Sequence, residues 1–311
     1  MVSKNLSGII LNPGCKNHCV FCGGKKPVEP AEIKQQEQKI HENLLDFRRK
    51  GAARISISGS DPIEYKKIIP LIKRIKEQGF EFVKLSTHGR RLSDKRFLEE
   101  FVGSGIDQVR IPLYGSTAKV HDSVTCSEGS FDETLKGIQG LLEKPQIQVQ
   151  VSSLIARQNK GDLLNLIDLV SGMGIKDFYF SIPCIIKNGD YSSFYIPIKD
   201  LAPIVREAYH YALEKKFDLH FWEIPFCVFG LIDRERINNT TSPPDLGKHC
   251  QPPERHRTNV KDLPSYRLKT KPEMCSGCEC FGFCNGFFLN DFSVFGNGNL
   301  KPIARQAGKP A

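Results

Sequence analysis

Leu6-Ser-Gly-Ile-Ile-Leu-Asn-Pro-Gly-Cys15-Lys-Asn-His-Cys19-Val-Phe-Cys22 is a short apolar run that breaks at Asn12-Pro13 and opens into three cysteines spaced C-x3-C-x2-C. Three thiolates so close in one loop suit three irons of a 4Fe-4S cube and leave the fourth iron open. Such a cluster is a reaction site and not only an electron store. A zinc knot or three free thiols would be the plainer reading. Zinc wants a fourth Cys or His at short spacing, and His18 is the nearby candidate.

Outward from this loop the chain alternates strand-like and helix-like patterns. Ala31–Lys50 carries an apolar helical stripe through Ile33, Ile40, Leu44 and Phe47, and Arg54–Ser58 alternates as a strand. Glu64–Gln78 reads as a helix ending at Gly79, Phe80–Ser86 as a strand, Asp94–Val102 as a helix and Gln108–Leu113 as a strand. Phe131–Leu142 follows as a helix with Ser130 as its cap, then strand Gln146–Ile155, helix Leu163–Val170 and strand Phe178–Ile186. Six β/α steps imply an α/β fold with a parallel sheet, either doubly wound or a partial barrel. Ile198–Lys216 reads as one long helix, His220–Ile224 as a further strand, and Asn238–Pro264 as a linker or lid. The expected division is a core over 1–190, a flanking helix and strand over 191–237, and a linker with a cysteine-rich segment over 238–311.

Of eleven cysteines in 311 residues, seven fall in two groups, Cys15/Cys19/Cys22 and Cys275/Cys278/Cys280/Cys284. Clustering at metal-ligand spacing argues against a secreted disulfide framework and for a reducing compartment. Cys126, Cys184 and Cys227 read as ordinary buried thiols. The N-terminal apolar run is too short for a signal or a membrane span, so the expectation is a soluble, cytoplasmic protein. A net charge of +9, with basic pairs such as Lys25-Lys26 and Arg90-Arg91, suits an acidic electron donor, an acidic peptide or a nucleic acid. The aromatic interleaving of RNA-binding motifs is absent, which weighs against nucleic acid.

The C-x3-C-x2-C run, with Phe21 before its last cysteine, resembles the signature of the radical S-adenosylmethionine (radical SAM) enzymes. That resemblance implies a (β/α)6 partial TIM barrel, with active groups at the C-terminal strand ends where the βα loops converge. Ser58-Gly59-Ser60-Asp61-Pro62 looks like a variant of the family's Gly-Gly-Glu-Pro motif, which holds the amino group of S-adenosylmethionine; here Asp stands where the family has Glu. A plain Asp-Pro turn is the alternative for that stretch. Leu85–Arg91, with Thr87, is similar to the family's Thr-Asn-Gly turn, and Val109–Ser116, His121–Thr125 and Gly129–Phe131 resemble a recurrent segment. The resemblance makes Arg110 a candidate for the cofactor's carboxylate, although a structural ion pair explains it nearly as well. By fold position, Ser152 and Ser153 are candidates for the ribose hydroxyls, and Ile182-Pro183 for the adenine.

Cys275, Cys278 and Cys284 form C-x2-C-x5-C, which resembles the SPASM or twitch extension that carries an auxiliary iron–sulfur cluster. Cys250 is the nearest upstream thiol for a fourth ligand and Cys280 the alternative; a structural zinc site is the other reading of this group. The resemblance thus implies a 4Fe-4S cluster, S-adenosylmethionine, a second 4Fe-4S cluster and a low-potential reductant such as flavodoxin or ferredoxin. The implied reaction is reductive cleavage of S-adenosylmethionine to a 5′-deoxyadenosyl radical, which takes hydrogen from an unreactive C–H bond. The leading expectation is an oxidoreductase or maturase acting on a peptide or protein side chain. A small-molecule substrate in cofactor biosynthesis is the runner-up, RNA modification comes third, and a non-catalytic electron-transfer protein is the other class.

Overall fold

The computed structural model describes residues 6–22, 30–184, 191–238, 269–296 and 298–304, with side chains 30–34 and 36 excepted. The chain forms two compact units; among the described residues the first runs to Ser152 and the second starts at Ser153. No helix among the described residues is long and apolar enough to cross a membrane.

The first unit is built on parallel strands β1 (Leu6–Leu11), β2 (Arg54–Gly59), β3 (Phe82–Ser86), β4 (Gln108–Pro112) and β5 (Gln148–Leu154), which continues past the division. Its helices are α1 (Pro30–Arg49), α2 (Ile68–Glu77), α3 (Lys95–Val102), α4 (Ala118–Thr125) and α5 (Ser130–Leu142). Strand alternation separates two faces. Ile55, Ile57, Val83, Leu85, Val109, Ile111 and Val151 are fully buried, each worth about 1.5–3 kcal/mol of burial. The helices supply matching stripes, Ile68, Leu71, Ile72 and Ile75 on α2 and Phe97, Leu98 and Phe101 on α3. On the other face Ser56, Ser58, Lys84, Ser86, Arg110, Gln150 and Ser152 stand in register, and Lys84 Nζ donates to Gln150 Oε1 across 3.0 Å inside the fold. Helix-covered strands with one polar face are the partial-barrel form of the α/β class.

Three local readings shift. The helix expected from Glu64 begins instead at Ile68, after a 3-10 turn at Pro62–Glu64. Pro70 is tolerated in a first turn but would clash with a turn placed before it, so it sets the start. Ser130 is the first residue of α5, not its cap; Gly129 is the cap, and the Ser130 hydroxyl donates to Asp122. Helix α4 was not expected; Thr117 caps it by accepting from the Val120 amide.

The second unit holds α6 (Leu163–Gly172), β6 (Asp177–Ser181), α7 (Ile198–Glu214), β7 (Leu219–Trp222), α8 (Phe226–Phe229) and β8 (Ile237–Asn238). Strands β6, β7 and β8 pair in parallel. Its C-terminal part adds an antiparallel pair, β9 (Lys269–Thr270) with β10 (Phe287–Phe288), and α9 (Leu289–Phe295). The expected linker from residue 239 to Pro264, and Cys250 with it, lies outside the described residues.

Candidate functional site

The cysteine loop leaves β1 and is fastened on both sides. On one, Gly59 at φ +148° lies so close to β1 that a Cβ would stand 1.7 Å from the Leu11 carbonyl oxygen. Only glycine fits there. The Ser60 amide then donates to Asn12 Oδ1 at 3.0 Å, while its hydroxyl donates to the Gly14 carbonyl at 2.9 Å and accepts from the Gly14 amide at 3.2 Å. On the other side the His18 and Val20 amides donate to the carbonyls of Thr125 and Val124 at the end of α4. Arg90 donates to Asn17 Oδ1 at 2.9 Å and to Glu133 at 2.5 Å, tying the loop to α5.

Phe21 packs edge-on against Tyr114 at 5.4 Å, and Tyr114, His121 and Phe131 continue the ring contacts. The Tyr114 amide donates to His121 Nδ1 at 3.1 Å. Burial pushes the His121 pKa down to about 4, so the ring is neutral and can accept that bond. Asp122 accepts from the Gly129 and Phe131 amides. The segments His121–Thr125 and Gly129–Phe131 therefore act as a brace for the cysteine loop, a role invisible in their sequence.

Asp61 is fully buried, with both carboxylate oxygens engaged. Oδ1 accepts from Thr87 Oγ1 at 2.5 Å, and Oδ2 lies 2.5 Å from His88 Nε2. Burial alone opposes charge on His88, but Asp61 and the Cys15 thiol outweigh it and raise its pKa to about 9. Asp61 was expected to add charge beside backbone carbonyls that approach the cofactor's ammonium; in the structure its nearest partners are Thr87 and His88. Sequence reading missed His88, whose only signal is its place in the Thr-His-Gly turn after β3.

Asp61, Glu64 and His88 are the trio of His, Cys, Asp or Glu ligand atoms lying within 4.8 Å of one another among the described residues. Asp61 and Glu64 also meet other partners, Thr87 and Lys16. Cys15, Cys19 and Cys22 stay within electrostatic reach of one another, and burial followed by the two neighbouring thiols pushes Cys19 up to about 12. Such a thiol gives up its proton in exchange for metal. Three sulfurs carried on one loop fit a 4Fe-4S cube with one open iron. Cys126, read as buried, is instead exposed at the end of α4 and contributes weakly to the Cys19 shift.

Arg110 stands on the polar face of β4, in register with Ser86 and Gln150. Ser152 shares that face. Ser153 points the other way, its hydroxyl buried among the apolar positions without a hydrogen-bond partner, because successive strand residues alternate. Both serines cannot meet one ribose. Pro183 is buried in the second unit just after β6.

The second unit holds the other cysteines. Cys227, Cys275, Cys278, Cys280 and Cys284 line one pocket with Met274, Phe226, Phe281 and Phe287. The Gly286 amide donates to Cys284 Sγ at 3.3 Å, which favours a thiolate there against the upward push of burial. Gly286, at φ +76°, would place a Cβ 2.1 Å from the Thr270 carbonyl oxygen, so glycine is required for that approach. Cys227, read as an ordinary thiol, thus lies in the cysteine pocket. No spacing rule could have found it, since 48 residues separate it from Cys275.

Residues 9–170 match the family model described as Radical SAM superfamily. The AdoMet-dependent heme synthase of Methanosarcina barkeri is 24% identical over 213 residues, covering 67% of this chain and 59% of that protein. The GTP 3′,8-cyclase of Limosilactobacillus fermentum is 28% identical over 166 residues, 51% of this chain and 48% of that one. The matched stretch therefore spans only about half to three-fifths of these relatives. Among solved structures, Streptococcus suis SuiB superposes with a TM-score of 0.56 at 18% identity, covering 74% of this chain and 52% of that one. The enzyme anSMEcpe, solved with bound AdoMet and the Cp18Cys peptide, gives 0.58 at 11% identity, covering 94% and 96%. These two likenesses concern the fold. The chain belongs to the radical SAM superfamily, whose enzymes use a 4Fe-4S cluster and S-adenosylmethionine.

Proposed function

We propose that this radical SAM enzyme oxidises or rearranges a peptide or protein side chain, with its reactive cluster on Cys15, Cys19 and Cys22 and an auxiliary cluster in its C-terminal cysteine pocket. The observation that carries this reading is the pair of thiol groups, an open three-cysteine loop in one unit and a richer cysteine pocket in the other. When bound, the 4Fe-4S cluster supplies the electron that cleaves S-adenosylmethionine to a 5′-deoxyadenosyl radical. The chain's residues supply placement. Ser60, Asn12 and Arg90 hold the cysteine loop, and the aromatic brace of Phe21, Tyr114 and His121 shields its last turn. In this reading the backbone of Ser58–Ser60 takes the ammonium of the cofactor, Arg110 its carboxylate and Ser152 its ribose, roles supported by their shared polar face on the strands. The peptide assignment is supported by the fold likeness to SuiB, which was solved with its precursor peptide SuiA, and to anSMEcpe, solved with peptides. The basic balance of the chain suits an acidic reductant such as flavodoxin or ferredoxin.

A small-molecule substrate is the second reading, favoured by the curated heme synthase and GTP cyclase relatives. The test is anaerobic reconstitution with dithionite and S-adenosylmethionine, reading 5′-deoxyadenosine against Cys15→Ala. Candidate peptides deuterated at side chains are then added. Deuterium in 5′-deoxyadenosine supports the peptide reading; stimulation by small metabolites alone overturns it.

A further inference from the structure

The sequence leaves the fourth ligand of the C-terminal cysteine site to Cys250 or Cys280, but the fold brings a different thiol to it. Short helix α8 follows β7 and is clamped onto the cysteine segment at several points. The Phe226 ring packs edge-on against Phe283 at 5.4 Å, the Phe226 amide donates to the sulfur of Cys284, and the Arg234 guanidinium lies 4.7 Å over the Phe283 ring. Cys227, the next residue along α8, is thereby placed in the pocket wall beside Cys275, Cys278 and Cys284.

We propose that Cys227 is the fourth ligand of a closed four-thiolate iron–sulfur site with Cys275, Cys278 and Cys284. This rests on the auxiliary-cluster reading above and deepens it. Cys227 enters the pocket from α8, docked by the Phe226–Phe283 ring contact, while Cys280 lies within the cysteine segment between Cys278 and Cys284, where its carbonyl accepts the amides of Phe283 and Cys284. The thiols share the pocket with Phe226, Met274, Phe281, Phe287 and Pro302, an apolar surround that lowers the local dielectric at a bound cluster.

A closed set has a functional consequence. Four protein thiolates leave no iron for a substrate nitrogen or oxygen, so the site exchanges electrons and does not bind substrate. Lys271 adds positive charge to the pocket wall, its Nζ donating to the Phe281 carbonyl.

The experiment isolates the second site in full-length protein carrying Cys15→Ala, Cys19→Ala and Cys22→Ala, reconstituted without oxygen. This background should retain about four irons and four sulfides per chain. Adding Cys227→Ala should either cut retained iron at least threefold or open one iron, read as new ¹⁵N hyperfine coupling in the reduced cluster's EPR when ¹⁵N-imidazole is supplied. Cys250→Ala and Cys280→Ala should keep full iron and show no coupling. Cys227→Ser, checked for native circular dichroism, guards against misfolding and should shift the cluster's EPR spectrum. Full iron with an unchanged spectrum in both Cys227 variants overturns the assignment, and loss in Cys250→Ala or Cys280→Ala overturns it while leaving the auxiliary cluster standing. One zinc and no iron in the background overturns the cluster reading itself.

Discussion

Acidifying the apoprotein from pH 7 to pH 5 should cost the first unit about 2 kcal/mol through one side chain, His121. The ring is buried, accepts the Tyr114 amide through Nδ1 and has its pKa lowered from 6.5 to about 4. The unfolded chain binds a proton at His121 near pH 6.5, whereas the folded chain resists until about pH 4. The contribution is complete above the unfolded value and is lost as pH falls towards the folded one. With these two values the linkage expression gives about 0.2 kcal/mol of proton-driven destabilisation at pH 7, about 2 at pH 5 and about 3 at pH 4. Protonation also ends the acceptor role of Nδ1, which loosens the brace under Phe21. The assay is urea unfolding of apoprotein at both pH values, for the wild type and for His121→Gln, which keeps an acceptor and does not titrate. The wild type should lose about 2 kcal/mol more than the variant between the two. Equal losses, or a His121 ring that titrates near 6.5 by NMR, would refute the reasoning.

Cys15→Ala, Cys19→Ala and Cys22→Ala should each abolish 5′-deoxyadenosine formation while leaving the metal of the C-terminal site; undiminished cleavage in any of them would remove that residue from the reactive cluster. Asp61→Ala strands a buried His88 and should cost about 3–5 kcal/mol of stability. It should also weaken S-adenosylmethionine binding in equilibrium dialysis, and a variant matching the wild type in both would remove Asp61 from the site. Gly59→Ala forces a Cβ into the Leu11 carbonyl and should prevent cluster retention, read as iron per chain after reconstitution. Arg90→Ala should keep the fold by circular dichroism but shorten cluster lifetime under chelator, since the loop loses its tie to Asn17; an unchanged lifetime would count against that tie.

Much of the fold was legible because its elements carry strong periodic patterns. Strand β2 and helix α3 are read from apolar spacing alone, and Asp94 caps α3 as a residue of its type does, accepting the Phe97 amide. Helix α4 was not legible. Its buried positions are His121, Val124 and Thr125, two of them polar, so no apolar stripe marks it. The three-cysteine loop could be read because cluster ligands from one loop must sit a few residues apart. His88 and Cys227 could not, because their roles depend on partners brought from other elements.

The amino-acid order by itself determined the superfamily, the β/α cadence and the three-cysteine loop, since each rests on local spacing that survives without coordinates. Tertiary structure alone decided three matters. Asp61 serves His88 and Thr87, because the turn after β3 folds back onto the turn after β2. Ser152 and not Ser153 shares a face with Arg110, because strand register sets side-chain direction. Cys227 joins thiols 48 to 57 residues away, because aromatic packing and an amide-to-sulfur bond dock α8 onto the cysteine segment. Long-range docking leaves no periodic trace in a sequence, and that is the physical reason these three answers required the fold.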